Sequence, residues 1–322
     1  VCVAHFNLRK SVWLINFCRE PLPDKSGGLS PWFDNCKKLH FLNKAILEEW
    51  LKLDRVAIVS KFGSEESENA ARKVAKKFLA GRSEVFTIAP VFVEGAKKVE
   101  SVEDLKDKKL DLTVTLGGDG TTLRTCRSLV NEVPVLTINV GGNKGILSEI
   151  TLDKIDLAIR EIKANKVWLD KRTRVVASVR GQEFPPALNE IYINRQNMTK
   201  TAEFEIKFQN DVVKHKMDGV MISTPSGSTG HSFSFGGPIL HESLDILIIT
   251  PIAAVLRQLP SIVVPDEKIQ VICSHDTNIV MDAQVIKTAN FEEPIIIKKH
   301  SKRVVFVRLK KQGLRQMSKL GV

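Results

Sequence analysis

Leu116-Gly117-Gly118-Asp119-Gly120-Thr121-Thr122-Leu123 packs three glycines, an acid and two hydroxyls into one short stretch. The apolar residues before it read as a buried strand and those after it as a helix. The glycines therefore fall at a strand-to-helix turn, the place where open α/β sheets bind ligands. Glycine lets the backbone come close to a phosphate, and the N–H groups of the first helical turn point at it. An aspartate in a loop that only binds anions would repel them. Beside a phosphate, Asp119 makes sense as a catalytic base or a metal-associated carboxylate. The same spelling also fits a tight turn with an aspartate capping the helix. It is not a G-x-G-x-x-G fingerprint, and no G-x-x-x-x-G-K-[ST] loop occurs in the chain.

A second segment runs from Asp218-Gly219 through Ser223-Thr224-Pro225-Ser226-Gly227-Ser228-Thr229-Gly230-His231 to Gly236-Gly237-Pro238. Its hydroxyls and bare backbone offer many donors and acceptors at close range, which suits a base edge or a ribose. A plain polar loop has the same composition. Gly-Ser-Thr-Gly-His lacks the G-x-S-x-G spacing, which argues against a serine hydrolase. Asn189-Glu190 opens a strand with two polar residues amid apolar ones, either as ligand contacts or as an ordinary solvent-facing pair. Gly142-Asn143-Lys144-Gly145-Ile146-Leu147 follows another strand and reads as a ligand loop or a simple connection.

The elements that must position these residues alternate from Arg55 onward. Val56–Val59, Val85–Ile88, Leu112–Leu116 and Val135–Asn139 read as strands of a buried parallel sheet. Helices are expected after Ser64 to about Ala80, over Thr121–Val130 and over Ile155–Ala164. This βαβ order predicts a parallel sheet with helices on both faces. After Trp168 the segments become short and β-branched: 174–180, 188–194, 203–209, 220–223, 246–250, 262–264, 269–273, 278–281 and 295–298. They predict a mostly antiparallel β-sandwich. The expected division is an appended or misplaced segment over 1–53, the α/β domain over 54–165, the β-rich domain over 166–300 and a basic tail over 301–322.

Composition narrows the class. The chain has 322 residues, 43% hydrophobic and 26% charged, with no low-complexity tract. Its best apolar run, Ile246 to Leu256, is short and broken by Thr250 and Pro251, so no membrane span is expected. Arg9 and Lys10 precede a brief apolar stretch that lacks the core and cleavage site of a signal peptide. Cysteines at 2, 18, 36, 126 and 273 form no metal-ligand spacing and read as reduced thiols of a cytoplasmic protein. The net charge of +11 is concentrated after Glu293. That tail reads as a solvated strand face with a frayed end, and nucleic acid is not an expected partner.

Taken in order, the G-G-D-G-T loop, the G-x-x-G-x-L loop, Asn-Glu on a strand, Asp-Gly, Ser-Thr-Pro-x-Gly-Ser-Thr and Gly-Gly-Pro resemble the signature of the NAD kinase family over roughly 54–300. The first loop is shared with lipid kinases and phosphofructokinases; the run from Asp218 to Pro238 is far more specific. The resemblance implies that Asp119 deprotonates the 2′-hydroxyl of the adenosine ribose. Gly118, Gly120 and Thr121 would handle phosphate. Asn189 and Glu190 would contact the nucleosides, Asp218 the nicotinamide side, and Thr229, Gly230, His231 and Ser234 the adenine. Ser226 and Ala253 complete the implied cofactor-binding set. It further implies ATP or polyphosphate as donor, NAD as acceptor, a divalent metal such as Mg²⁺ with ligands unknown, and a homodimer or homotetramer. Rival readings are a catalytically idle NAD(P)-binding sensor and a lipid or sphingoid-base kinase. The chain departs from the family pattern at Gly230-His231, where Ala-Tyr is usual, and at Ile146, where an aromatic is usual. The late Asp-Gly-Gln element reads Asp282-Ala283-Gln284, with its role left open.

Overall fold

The computed structural model describes residues 51–129, 131–142, 145–255 and 259–311. The expected appended segment lies outside them as far as Trp50, while Leu51 and Leu53 already pack against the core of the first sheet. That sheet begins with β1 (Arg55–Ser60), β2 (Glu84–Ile88), β3 (Lys97–Val99), β4 (Leu112–Leu116), β5 (Pro134–Asn139) and the short β6 (Ile150–Thr151). All of these pair in parallel. β1 is apolar throughout because both of its faces are covered. Val56 and Ile58 point toward α1 (Glu65–Ala80), and Ala57 and Val59 toward a second cluster with Phe86, Leu105 and Leu129. The helix α1 starts where Ser64 accepts the Ser67 N–H, carries its acids first and Lys77 last, and buries Ala70, Ala71, Val74, Ala75 and Phe78 at helical spacing. On that same face lies α3 (Ile155–Lys163), which follows α2 (Asp119–Ser128) in the chain and buries Ile155, Ala158 and Ile162.

β7 (Trp168–Arg172) is the last strand before the chain enters a sandwich of two antiparallel sheets. Its strands are β8 (Val175–Val179), β9 (Gln182–Glu183), β10 (Glu190–Arg195), β11 (Ala202–Phe208), β12 (Asp211–Met217), β13 (Gly219–Ser223), β14 (Ile246–Ile252), β15 (Ile262–Pro265), β16 (Ile269–Cys273), β17 (Thr277–Met281), β18 (Val285–Ala289) and β19 (Ile295–Lys299). One sheet has the order β15-β14-β13-β10-β17-β18 and the other β12-β11-β16-β19-β8-β9. β11 shows why they pack: Ala202, Phe204, Ile206 and Phe208 alternate into the core while Glu203 and Lys207 face out. Each large side chain buried this way contributes about 1.5–3 kcal/mol.

The chain then returns. β20 (Val304–Arg308) inserts into the first sheet, parallel to β5 and antiparallel to β7. This corrects two expectations. The first sheet extends through Arg172 rather than ending at 165, and residues 304–308 are a buried strand rather than part of a basic tail. The charge count around it concealed the apolar run Val304-Val305-Phe306-Val307. Residues 312–322 lie outside the described part.

Three arginines, Arg172, Arg174 and Arg308, are almost wholly buried where the first sheet meets the sandwich. Asp170 receives the Arg172 fork at 2.7 and 2.7 Å and Arg308 Nε at 3.1 Å. Arg172 continues to Ser226 and Glu242, and Arg308 to the Leu147 carbonyl and Glu149. Arg174 donates to the carbonyls of Cys126 and Leu129 at the end of α2 and to that of Lys302. Burial works against the charge on Asp170, but the hydrogen bonds and charges of Arg172 and Arg308 outweigh it and hold its pKa below the usual value. Removing one member leaves buried charge uncompensated. Asp170→Ala is expected to lower stability by ~3–5 kcal/mol, read as a shift of the urea midpoint. A loss under ~1 kcal/mol would show that the pair is not energetically coupled to the fold.

Candidate active site

At the C-terminal end of β4 the chain turns through Gly117 and Gly118 into α2. Asp119 is the first helical residue, two positions earlier than expected, and Gly118 is the cap. The aspartate therefore does not cap its own helix. It reaches across to the loop after β5, where its two carboxylate oxygens accept the N–H groups of Ile146 and Leu147, each at 3.0 Å. A Cβ on Gly145 would lie 2.0 Å from the Asp119 carboxylate, so this close approach requires glycine. The segment 142–147 is thus the cradle of Asp119 and no mere connection; Asn143 and Lys144 lie outside the described residues. These two accepted N–H groups fix the orientation of the carboxylate. Gly118 and Gly120 border this loop, and Thr121 is buried beneath it.

The second half of the site is the outer face of the sheet containing β10. Glu190, Tyr192 and Asn194 point out of the sandwich there, while Ile191 and Ile193 point in. With His231, Asn278, Val280, Ala283 and Ile286 they line a trough of about 310 Å³. Over it sits the turn Ser226–Thr229 and the one-turn helix α4 (His231–Ser234). A Cβ on Gly227 would meet the Asn189 carbonyl at 2.2 Å, and one on Gly230 would stand 3.6 Å from Glu190 Oε2 and 3.9 Å from Asn189 Nδ2. The His231 ring packs edge-on against Tyr192 at 5.9 Å and tilted against Phe235 at 5.1 Å.

A short turn joins the halves. Asp282 and Ala283 both have positive φ, 48° and 53°. The Asp282 carboxylate accepts the N–H groups of Leu188, Asn189 and Glu190 at 3.0, 2.8 and 3.4 Å. Gln284 donates to the Gly120 carbonyl at 3.0 Å and accepts from Arg127 at 2.8 Å. The turn left without a role by the sequence is the link between the glycine loop and the trough.

Glu190 is buried, and burial followed by the charge of Asp282 pushes its carboxyl up to about 8. Its Oε2, the Ser223 hydroxyl and the Thr229 hydroxyl are shut from solvent without a hydrogen-bond partner among the described residues. Ser223 is the cross-strand partner of Glu190, and Thr229 ends the turn above. Native proteins rarely leave such groups orphaned; ordered water, an ion or a ligand completes them. Burial, then Asp218, raises the Tyr192 pKa and keeps it a phenol.

The structure brings together Asp119, Gly118, Gly120 and Thr121 at one end, and Asn189, Glu190, Thr229, Gly230 and His231 beside them. Ser226 is buried and accepts Arg172 at 3.3 Å. Ser234 closes α4 with an exposed side chain and does not line the trough. Asp218 and Ala253 lie at the other end of β10, beyond Asn194, with Asp218 paired to Arg195 at 2.7 Å. Strand geometry puts that end ~17 Å from Glu190. Tyr192, the chain's only tyrosine, was missed, although its singularity was a signal. Among the described residues no group of three or more His, Cys, Asp or Glu side chains is disposed to hold a metal.

Models of two domains match this chain: the ATP-NAD kinase N-terminal domain over residues 41–167 and the ATP-NAD kinase C-terminal domain over 188–309. The first begins inside the 1–53 segment read as appended. An NAD kinase of Methanothermobacter thermautotrophicus is 31% identical over 271 residues, covering 82% of this chain and 94% of that protein. One from Clostridium beijerinckii is 32% identical over 241 residues, covering 72% and 82%. Among solved structures, an Archaeoglobus fulgidus NAD kinase in complex with ATP aligns with a TM-score of 0.66 and 26% identity over 83% of this chain and 97% of that one. A yeast NADH kinase complexed with NADH shares the fold, with a TM-score of 0.75 at 20% identity, covering 83% and 87%.

Two outcomes follow from the geometry. Because Glu190 titrates higher folded than unfolded, its contribution is intact at low pH and is lost as pH rises from about 4.5 to about 8. Glu190→Gln should therefore gain stability over wild type at alkaline pH by more than ~1.4 kcal/mol relative to acid pH, in melting curves at either end. An equal gap at both ends would refute the shift. Ala283→Gly should relieve the left-handed strain and raise stability by up to ~1 kcal/mol, where an unchanged or lower melting temperature would show that no strain is stored there.

Proposed function

The chain belongs to the NAD kinase family, and we propose that its cleft transfers the terminal phosphoryl group of ATP, or of polyphosphate, to the 2′-hydroxyl of the adenosine ribose of NAD, giving NADP. The observation that carries this reading is the placement of one carboxylate, Asp119, between a glycine turn that accommodates phosphate and a trough with orphaned polar groups.

NAD lies along β10. Its adenosine half meets Asn189, Glu190, Thr229, Gly230 and His231, with Ser226 held behind them by Arg172. Its nicotinamide half extends over Tyr192 and Asn194 toward Asp218 and Ala253. The span of ~17 Å suits an extended dinucleotide better than a mononucleotide. Glu190, carrying its proton, donates as well as accepts. His231 presents an aromatic face where the family pattern has tyrosine.

In the reaction the ribose O2′ forms a bond to the terminal phosphorus as the bond from that phosphorus to the bridging oxygen breaks. The hydroxyl proton passes to Asp119, and the shortened donor leaves with the bond's electron pair. Catalysis is mainly alignment and charge stabilisation, supplied by the helix N-terminus and the bare backbone of Gly118 and Gly120. A divalent cation such as Mg²⁺ would be held by the donor phosphates, with Asp119 as the neighbouring carboxylate, and would neutralise their charge.

A homodimer or homotetramer is part of this proposal, supported by the exposed Phe233, Phe235 and Ile286 around the trough. So is a cytoplasmic setting, supported by the buried free thiols Cys126 and Cys273. No helix among the described residues is long and apolar enough to cross a membrane. The hydrogen-bonding groups of Glu190, Asn194 and Asn278 in the lining of the trough favour a nucleoside over a lipid or sphingoid-base acceptor.

Asp119→Asn should cost the fold only ~1 kcal/mol, through one mismatched backbone N–H. It should lower turnover by ~10²–10⁴ while NAD binding persists. NADP formation with MgATP, and with polyphosphate in parallel, measures this. Wild-type turnover in a folded variant would remove Asp119 from its role, and a wild-type chain that binds NAD without turnover would favour the sensor reading.

A further inference from the structure

A second concavity opens at the C-terminal ends of β1 and β2, on the α2 side of the sheet, away from the trough. It encloses about 180 Å³, and its lining includes Ser60, Phe62, Ile88, Ala89, Glu103 and Arg124. Whole-ligand sites are typically about 300–1,000 Å³, so this one suits a part of a molecule. Its place is informative. β1 has β2 on one side and β4 on the other, so the strand order reverses beside it, and open α/β sheets bind ligands at such reversals.

Three side chains there are lightly engaged. Phe62 is 72% exposed on the loop between β1 and α1, a large aromatic at the mouth of the pocket. Arg124 projects from α2; one terminal nitrogen reaches the Ser60 carbonyl at 3.4 Å, while its Nε is shut from solvent without a partner. Lys61 makes no ion pair among the described residues, although its backbone is fixed to β4 by an N–H bond to the Leu116 carbonyl at 2.8 Å. Its Cβ lies 3.1 Å from where a Cβ on Gly117 would stand, directly beside the glycine loop. Glu103, which accepts Ser128 at 2.6 Å, and Glu100, paired with Lys98 at 3.1 Å, add carboxylates to the same lining.

An exposed aromatic, a cation and carboxylates in one lining, with a lysine rooted beside the glycine turn, match the parts of a purine nucleoside triphosphate. We propose that this pocket binds the purine base of the phosphoryl donor, stacked on Phe62, with its phosphates drawn by Arg124 and Lys61 toward Gly117–Gly120. The carboxylates accept from an exocyclic amine, which adenine and guanine both carry. This rests on the kinase reading, and it places donor and acceptor bases in separate pockets on either side of Asp119.

The test compares wild type, Phe62→Ala and Phe62→Trp. Since Phe62 is exposed, the fold should tolerate both. Losing one base–aromatic stack should raise KM for ATP roughly tenfold in Phe62→Ala, with KM for NAD unchanged and Phe62→Trp restoring wild-type behaviour. Inhibition by ADP should weaken in parallel. Inhibition by inorganic tripolyphosphate, which has no base, should not change. A KM for ATP within twofold of wild type, or an equal loss of tripolyphosphate inhibition, overturns the proposal. A wild-type chain that makes NADP from polyphosphate but not from ATP overturns this proposal alone, and one that makes none from either donor overturns the kinase reading with it.

Discussion

Three successive N–H groups, those of Leu188, Asn189 and Glu190, converge on one carboxylate, Asp282. The arrangement sets where β10 begins, and therefore which side chains of β10 face out of the sandwich. One residue later the same turn bends toward α2, and Gln284 takes the Gly120 carbonyl. A single tight turn thus fixes the nucleoside trough and the phosphate loop relative to each other. Flexible contacts would not serve, because phosphoryl transfer loses rate steeply with misplacement of the reacting atoms. The non-glycine residues held at positive φ, Asp282 and Ala283, are the conformational cost of this link.

A second tie runs beneath it. Leu147, whose N–H holds Asp119, gives its carbonyl to Arg308, which shares Asp170 with Arg172, which in turn reaches Ser226. The strands that carry these charges, β7 and β20, are the two through which the chain leaves and re-enters the first sheet. Buried ion pairs often contribute little net stability compared with apolar replacements. Here they connect the backbone on one side of Asp119 to the turn above the trough, so their value lies in geometry. The two ties share no residue, and together they leave the Asp119 carboxylate little freedom against the trough.

Much of this was legible in the sequence where local pattern and tertiary demand agree. β1, β4 and the β11 alternation were readable because burial on two faces or one prints a continuous or alternating code. The glycine turn and the Ser226–His231 segment were readable as candidate sites. What escaped was non-local. Arg308 looked like one charge among many in a basic stretch, because nothing in its neighbours shows that a sheet will receive it. Asp282 and Asp170 look like ordinary acids until their partners, 92 to 94 and 138 residues away, are known. The chain order also hides the domain division, since β20 returns to the first sheet after the whole sandwich is built.

Charge is the remaining constraint. NAD brings a pyrophosphate and the donor brings more, yet the trough is approached by Glu190, Asp282 and Asp218. Their environments resolve the conflict. Burial, then Asp282, holds Glu190 near 8, so it is largely neutral at physiological pH, and burial raises Asp282 as well. Asp218 is matched by Arg195. Asp119 is the acid that meets the phosphate turn, and it stands at a helix N-terminus with two N–H groups directed at it. An acidic-looking site is thereby made tolerant of anions.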